Sequence, residues 1–299
     1  MEQPVPGSDP GLSAPAVRPR RRSNFAYWLL LPGGLWLLVF YVIPTISMLS
    51  VSLQQGSLEE GYRLTWNFGV YSDVLLRNDT QIIRSVVYGL IVTVATLLIA
   101  YPLAYTIAFR GGRWKSVLLF LVILPFFVSF VIRTLEWKFV LADEGIVLGT
   151  LKDAGVVGQG FRVLATPVAV LGGLIYNFLP FMALPLYVAL ERMDKSLLDA
   201  ASDLYSSRIK AFFKVTFPLS LPGVFAGSLL TFIPSTGDFI NAELLGGVST
   251  TMIGNVIQTE YLTNNDYPEA AALSFILMLG ILVAVAIYAR ILGTEELTG

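Results

Sequence analysis

Residues 85–109 read SVVYGLIVTVATLLIAYPLAYTIAF, with no acidic or basic side chain. About 20 predominantly apolar residues in helical form cross the hydrocarbon core of a bilayer, so this stretch predicts a transmembrane helix. Five others meet or approach the same length, near 26–50, 116–141, 166–190, 218–240 and 271–292. Prolines fall inside most of the six: Pro32, Pro44, Pro102, Pro125, Pro180, Pro185, Pro222 and Pro234. Packed membrane helices tolerate them because neighbouring groups satisfy the carbonyls that proline leaves free. Six kinked helices suit a pathway better than an anchor, and the expected architecture is an all-α integral membrane domain over 25–292.

Composition excludes most other classes. Apolar residues make up 55% of the chain and charged residues 14%, with a mean hydropathy of +0.69, whereas soluble domains carry about 25% charged residues. Twenty Lys and Arg against 21 Asp and Glu leave a net charge of −1, so there is no basic excess to neutralise phosphates and nucleic-acid binding is excluded. The chain has no His and no Cys. That removes structural zinc, haem ligation by those residues, thiol chemistry and Ser-His-Asp catalysis. No G-x-x-x-x-G-K-[ST] occurs either. The chain is expected to be no enzyme and to have no catalytic or metal-binding residue, and its energy must come from a partner or a gradient.

Residues 1–24 carry five Pro and the cluster Arg18, Arg20, Arg21, Arg22, which reads as a disordered basic tail. A signal peptide is the alternative, but the apolar run continues from Phe25 to Leu53 without a small-residue cleavage site, well beyond an h-region of about 7–15 residues. Lys and Arg favour the cytoplasmic side of a span. With the N-terminus inside, that side holds thirteen of the twenty, including Arg110, Arg113, Lys115, Arg192, Lys195, Arg208, Lys210, Lys214 and Arg290. The segment from Asn241 to Glu269 has none, yet carries Glu243, Glu260, Asp266 and Glu269. Both termini, including a short tail at 293–299, are expected to be cytoplasmic in a prokaryotic inner membrane.

Between the fourth and fifth spans, residues 191–217 are too polar to cross. Leu197, Leu198, Ala201, Leu204 and Tyr205 recur at three- and four-residue spacing, followed by Ile209, Phe212, Phe213 and Val215. This predicts two short amphipathic helices meeting near Tyr205–Ser207. Periodicity alone allows them to pack beneath the membrane domain, or to lie in the interface as an anchor.

The residues themselves add a resemblance. Asp199-Ala200-Ala201-Ser202-Asp203-Leu204, with Phe212, Val215, Pro218 and then Pro222-Gly223, resembles the EAA motif of ABC importer permeases, the binding-protein-dependent inner-membrane subunits. Ser129-Phe130-Val131-Ile132-Arg133-Thr134 with Trp137, Leu179-Pro180-Phe181-Met182 with Pro185-Leu186-Tyr187, Gly237-Asp238-Phe239, Leu244-Leu245-Gly246-Gly247 and Ile253-Gly254-Asn255 resemble the first permease subunit of spermidine/putrescine transporters. The resemblance covers 25–292 and implies a type I permease fold. It also implies a polyamine cargo and a heteromer, with a second related permease, two copies of a cytoplasmic ATPase that binds ATP and Mg, and an extracytoplasmic binding protein. The segment 191–217 becomes the coupling segment, with Leu198, Asp199, Ala200, Ala201, Leu204 and Tyr205 as docking residues. No cofactor is implied for this chain itself. Two positions depart from the pattern: Tyr205 stands where the motif usually has Gly, and Glu136 where the polyamine permeases have a small residue.

Ionisable groups at membrane depth usually face a pathway or a partner. Arg133 and Glu136 are three apart near the outer end of the third span, which favours a simple pair. Asp238 follows Pro234-Ser235-Thr236-Gly237, a stretch expected to break the fifth span, and Glu243 lies just beyond. An extended polyamine needs carboxylates or aromatic faces along its passage. The candidate pathway residues are therefore Asp238, Glu136, Trp137, Tyr176 and Tyr187, against ordinary interfacial or packing roles for the same side chains. The rival readings are a related importer for another cation or amine-bearing compound, and a self-contained secondary carrier with coupling ions at broken helices. A carrier has no need of a docking segment.

Overall fold

The structure is a computed structural model and describes residues 25–194, 196, 197, 204 and 207–292. It divides into two units, residues 1–47 and residues 48–299. The division falls within a helix. In the first unit α1 (Phe25–Leu37) runs through a π-helical turn (Leu38–Val42) into α2 (Ile43–Ser52), whose last residues belong to the second unit. Pro44 has no N–H to offer the carbonyl four residues earlier. The ladder shifts instead, and the Ile43 N–H reaches the Leu38 carbonyl. Thr45 Oγ1 donates to Tyr41 O (2.7 Å) beside it.

After the end of α2 the second unit has a β-hairpin, β1 (Gln54–Ser57) antiparallel to β2 (Gly61–Leu64), paired Gln54 to Leu64. Then come α3 (Gly69–Arg77), α4 (Asp79–Arg110), α5 (Lys115–Ile123), α6 (Phe130–Val140), α7 (Ile146–Asp153) and α8 (Pro167–Glu191). They are followed by α9 (Arg208–Ala211), α10 (Phe217–Thr236), α11 (Ile240–Leu245), α12 (Ile253–Leu262) and α13 (Tyr267–Leu292). The core is the triple contact of α4, α8 and α10. Ala100, Tyr101, Ala104 and Ala108 of α4 pack there on Met182, Ala183, Leu186 and Leu190 of α8 and Val224 of α10. Small residues bring membrane helices together. A Cβ on Gly227 would lie 2.8 Å from Met182 Sδ, and one on Gly223 2.8 Å from Pro185 O.

Paired charges mark the two ends of this bundle. Lys115 Nζ reaches both carboxylate oxygens of Glu191 at 2.6 Å, joining α5 to α8, while Arg77 of α3 pairs with Glu269 of α13 at the other end.

Four expectations need correction. The third span is not one helix over 116–141. Residues Gly112–Phe127 and Phe130–Val140 meet at 92°, where a 3-10 turn (Leu124–Phe127) is followed by Val128 and Ser129, extended in ψ (139° and 136°). Among the described residues five helices are long and apolar enough to cross a membrane, and six if the bent pair counts as one. The fifth span stops at Thr236, short of 240, and α11 is a separate helix after Gly237, Asp238 and Phe239. In the 191–217 segment, α9 passes through a π-helical turn (Phe212–Thr216) straight into α10, so its second half extends the fifth span rather than forming a free short helix. Residues 241–269 are largely helical, in α11 and α12, rather than a loop.

Candidate functional site

At the Arg77–Glu269 end, a chain of side-chain amides ties four elements. Asp238 follows the end of α10, and its Oδ1 accepts the Asn241 backbone N–H (2.7 Å) and Asn241 Nδ2 (3.1 Å), which starts α11. Asn177 of α8 donates through Nδ2 to Asn241 Oδ1 (3.0 Å) and to Thr134 Oγ1 of α6 (3.1 Å). Thr134 in turn donates to Phe130 O (3.0 Å). Thr134, Asn177 and Asn241 are wholly buried, and among the described residues Asn177 Oδ1 has no partner. An acceptor left this way costs about 1–3 kcal/mol, so the site holds an unused hydrogen-bonding group beside the helix break.

Glycines permit the approach. A Cβ on Gly173 would lie 2.8 Å from Asn241 Oδ1, and one on Gly254 2.5 Å from Gly237 O. Asn255 then fastens α12 to the same corner: its Nδ2 donates to Phe239 O (2.9 Å) and Glu243 Oε2 (3.3 Å), and its Oδ1 accepts Met252 N–H (3.1 Å).

Beside this chain, Trp137 meets Tyr176 edge-on at 5.2 Å. Arg133 does not pair with Glu136, contrary to the expected i,i+3 contact. Its Nη1 donates to Pro125 O (2.9 Å) across the break in the third segment, and its guanidinium faces Phe126, Phe130 and Tyr176. The half-buried carbonyl of Pro125 takes the arginine, while Glu136 is exposed. Trp137 and Tyr176 thus touch each other, Asp238 reaches Asn177, the chain neighbour of Tyr176, only through Asn241, and Glu136 is exposed. Tyr187 lies apart, packed on the cluster around Tyr101 and Met182. Sequence reasoning missed Asn177 and Asn241 as site residues, although an amide inside the run Leu174-Ile175-Tyr176-Asn177-Phe178 is a signal in its own right.

Between α5, α8 and α10 runs a groove of about 1060 Å³, from Phe126, Phe181 and Leu230 down to Arg192, Asp194 and Leu197. Its walls are almost wholly apolar, and Phe126 and Phe181 meet at 5.0 Å at its head. Asp194 accepts the Ser196 N–H (2.9 Å), which holds its carboxyl below the usual range. Of the docking residues, Leu198, Asp199, Ala200, Ala201 and Tyr205 lie outside the described residues. Leu204 is described and exposed, as is Leu197.

A family of binding-protein-dependent transport system inner membrane components matches residues 97–292. The chain is 36% identical over 256 residues to the spermidine/putrescine transport system permease protein PotB of Haemophilus influenzae, covering 85% of this chain and 90% of that protein. It is 34% identical to PotB of Escherichia coli, covering 85% and 93%. Among solved structures, a bacterial ABC transporter involved in import of the acidic polysaccharide alginate matches with a TM-score of 0.66 at 20% identity, covering 93% of this chain and 98% of that one. A bacterial alginate ABC transporter in complex with a pentasaccharide-bound periplasmic protein matches with a TM-score of 0.67 at 21% identity, covering 93% and 96%. These two likenesses establish the type I permease fold.

Proposed function

The chain belongs to the binding-protein-dependent inner-membrane components of ABC importers, and from that premise we propose that it is the polyamine-conducting permease of its transporter, carrying spermidine or putrescine. The observation that carries the cargo is the 36% identity to a spermidine/putrescine permease over 85% of the chain. In this reading a second, related permease supplies the other half of the pathway. An extracytoplasmic binding protein delivers the amine at the Asp238 end. Two ATPase copies bind ATP and Mg and dock on Leu198, Asp199, Ala200, Ala201, Leu204 and Tyr205, at the end marked by Lys115 and Glu191. Both termini then lie in the cytoplasm, on the side of the basic loops. Asp238 attracts the ammonium groups, Trp137 and Tyr176 offer aromatic faces, Glu136 stands at the rim, and the apolar groove suits the methylene segments between charges. Tyr187 takes a packing role.

Uptake of labelled spermidine and putrescine, in a host stripped of its own polyamine importers and supplied with the whole transporter, tests the cargo. Import of either amine is expected, and Ala201→Glu should abolish it while the chain still inserts. No uptake of either amine by the assembled transporter would overturn the cargo assignment; normal uptake by Ala201→Glu would overturn the docking surface.

A further inference from the structure

The second half of the 191–217 segment continues into the fifth span, with α9, the π-helical turn Phe212–Thr216 and α10 forming one helical run. Pro218 has no N–H to offer the carbonyl four residues earlier, and just before it the Phe217 N–H reaches the Phe212 carbonyl, five residues back. A π turn holds one residue more than the α register, so sliding between the two would rotate the helix before it by about 100° about its axis. A joint of this kind passes a push along the helix only if something holds its register.

Tyr101 of α4 supplies the hold. Its ring meets Phe212, the first residue of the turn, edge-on at 5.4 Å, and Phe217, the residue just after the turn, at 6.0 Å. Tyr105, four residues further along α4, also meets Phe212, at 6.4 Å. The Tyr101 hydroxyl lies 2.8 Å from Ser220 Oγ in the first turn of α10. Ser220 Oγ itself donates to Phe217 O (2.8 Å), so Tyr101 is the donor to Ser220. Tyr101 is 8% exposed and Ser220 wholly buried, which leaves water no place to substitute for the bond. The same tyrosine belongs to the buried cluster with Met182, Leu186 and Leu190 of α8. One side chain thus grips both ends of the turn and roots them in the core.

We propose that Tyr101 is a positioning residue for transport: it locks the π turn, so that movement of the docking segment reaches the α4, α8 and α10 bundle instead of being absorbed between Phe212 and Phe217. The inference rests on the reading of 191–217 as the segment on which the ATPase docks.

The test uses the whole transporter in proteoliposomes with its binding protein, and reads labelled spermidine taken up per ATP hydrolysed. Tyr101→Phe keeps the ring and removes the hydroxyl; Ser220→Ala removes the acceptor. Each is expected to lower uptake per ATP at least about threefold, in keeping with one buried hydrogen bond, with hydrolysis within about twofold of the parent. The double variant should fall no further than the single ones, because all three remove the same link. Uptake and hydrolysis falling together would make the pair a matter of stability alone and overturn the proposal, as would a parental ratio in both single variants.

A second measurement needs no cargo. The chain has no Cys, so spin labels can be placed at the exposed Ile209 and Arg110, on α9 and at the end of α4. The parent is expected to keep one narrow distance distribution with and without ATP and vanadate, and Tyr101→Phe to broaden it. An unchanged distribution in Tyr101→Phe and Ser220→Ala would overturn the lock. If Tyr101→Phe fails to reach the membrane, Ser220→Ala decides alone. A parent that imports no spermidine sinks the cargo assignment and leaves the label distances to judge the lock; normal uptake by Ala201→Glu beside a lowered ratio in Tyr101→Phe sinks the docking surface and keeps the lock.

Discussion

Pro180 and Pro185 leave the fourth membrane segment one helix of 25 residues, whereas the third segment, with Pro125, turns by 92° between Phe127 and Phe130. In each case proline removes the N–H that would serve the carbonyl four residues earlier. What differs is the surroundings. The fourth segment is gripped on two sides, with α10 glycines against Met182 and Pro185 and α4 alanines against Met182, Ala183 and Leu186. In the third, α5 and the 3-10 turn after it bury no residue. Instead, polar side chains hold the far side of the break: Arg133 on Pro125 O, and Asn177 on Thr134. Proline permits a break, and packing and replacement hydrogen bonds decide whether one forms.

The strongest way to break this contrast is at Asn177, where the two segments touch through a side-chain hydrogen bond. Asn177→Leu leaves Asn241 Oδ1 and Thr134 Oγ1 without their shared donor in a dry site. Loss of about 1–3 kcal/mol is expected, toward the upper end of interhelical bonds in membranes, read as a lower melting temperature in detergent. Asn177→Asp, which keeps the size, should recover little of it because the carboxylate cannot donate. An unshifted melting temperature in Asn177→Leu would leave the break to packing alone.

Much of this architecture was legible in the chain. Five long apolar runs appear as long helices because crossing lipid demands length and an internally satisfied backbone. The break before Asp238 was also readable, from Pro234 and Gly237. The break at Val128 and Ser129 was not, since the apolar run 116–141 continues through it and hydropathy does not register backbone direction. Asn177 and Asn241 escaped for another reason. A lone amide in an apolar run announces a polar role, but its partners sit 43 and 64 residues away, and no spacing rule reaches that far. Arg133 and Glu136 illustrate the opposite error, where a helical spacing promised a pair and the half-buried Pro125 carbonyl took the arginine.

Asp238 separates what the amide chain does for structure from what charge does for transport. Asp238→Asn still presents an oxygen to the Asn241 N–H, so α11 should keep its start and the transporter its assembly. Removing one charge at the mouth of the pathway should lower uptake of a multiply charged amine about tenfold at subsaturating substrate, equivalent to about 1.4 kcal/mol, within the range of one screened pair at close approach. Equal uptake at matched expression would return Asp238 to capping alone; lost assembly would point to a cation on the partner permease.

The smallest expected effect sharpens the contrast most. Were Pro125 the cause of the turn in the third segment, Pro125→Ala would restore a good helix former with its N–H, a gain of up to about 3 kcal/mol in a helix interior. The contacts argue otherwise. Val128 N–H and Arg133 Nη1 both already use the Pro125 carbonyl, at 3.2 and 2.9 Å, and an alanine carries the same carbonyl in the same place. Straightening would strand Arg133 and pull Thr134 from Asn177. Pro125→Ala is therefore expected to change stability by less than about 0.5 kcal/mol. Spin labels at the exposed positions Leu121 and Phe139 should keep the parental distance distribution. A shift to the longer separation of a straight helix, with a matching rise in melting temperature, would make proline the cause and the arginine bond its consequence.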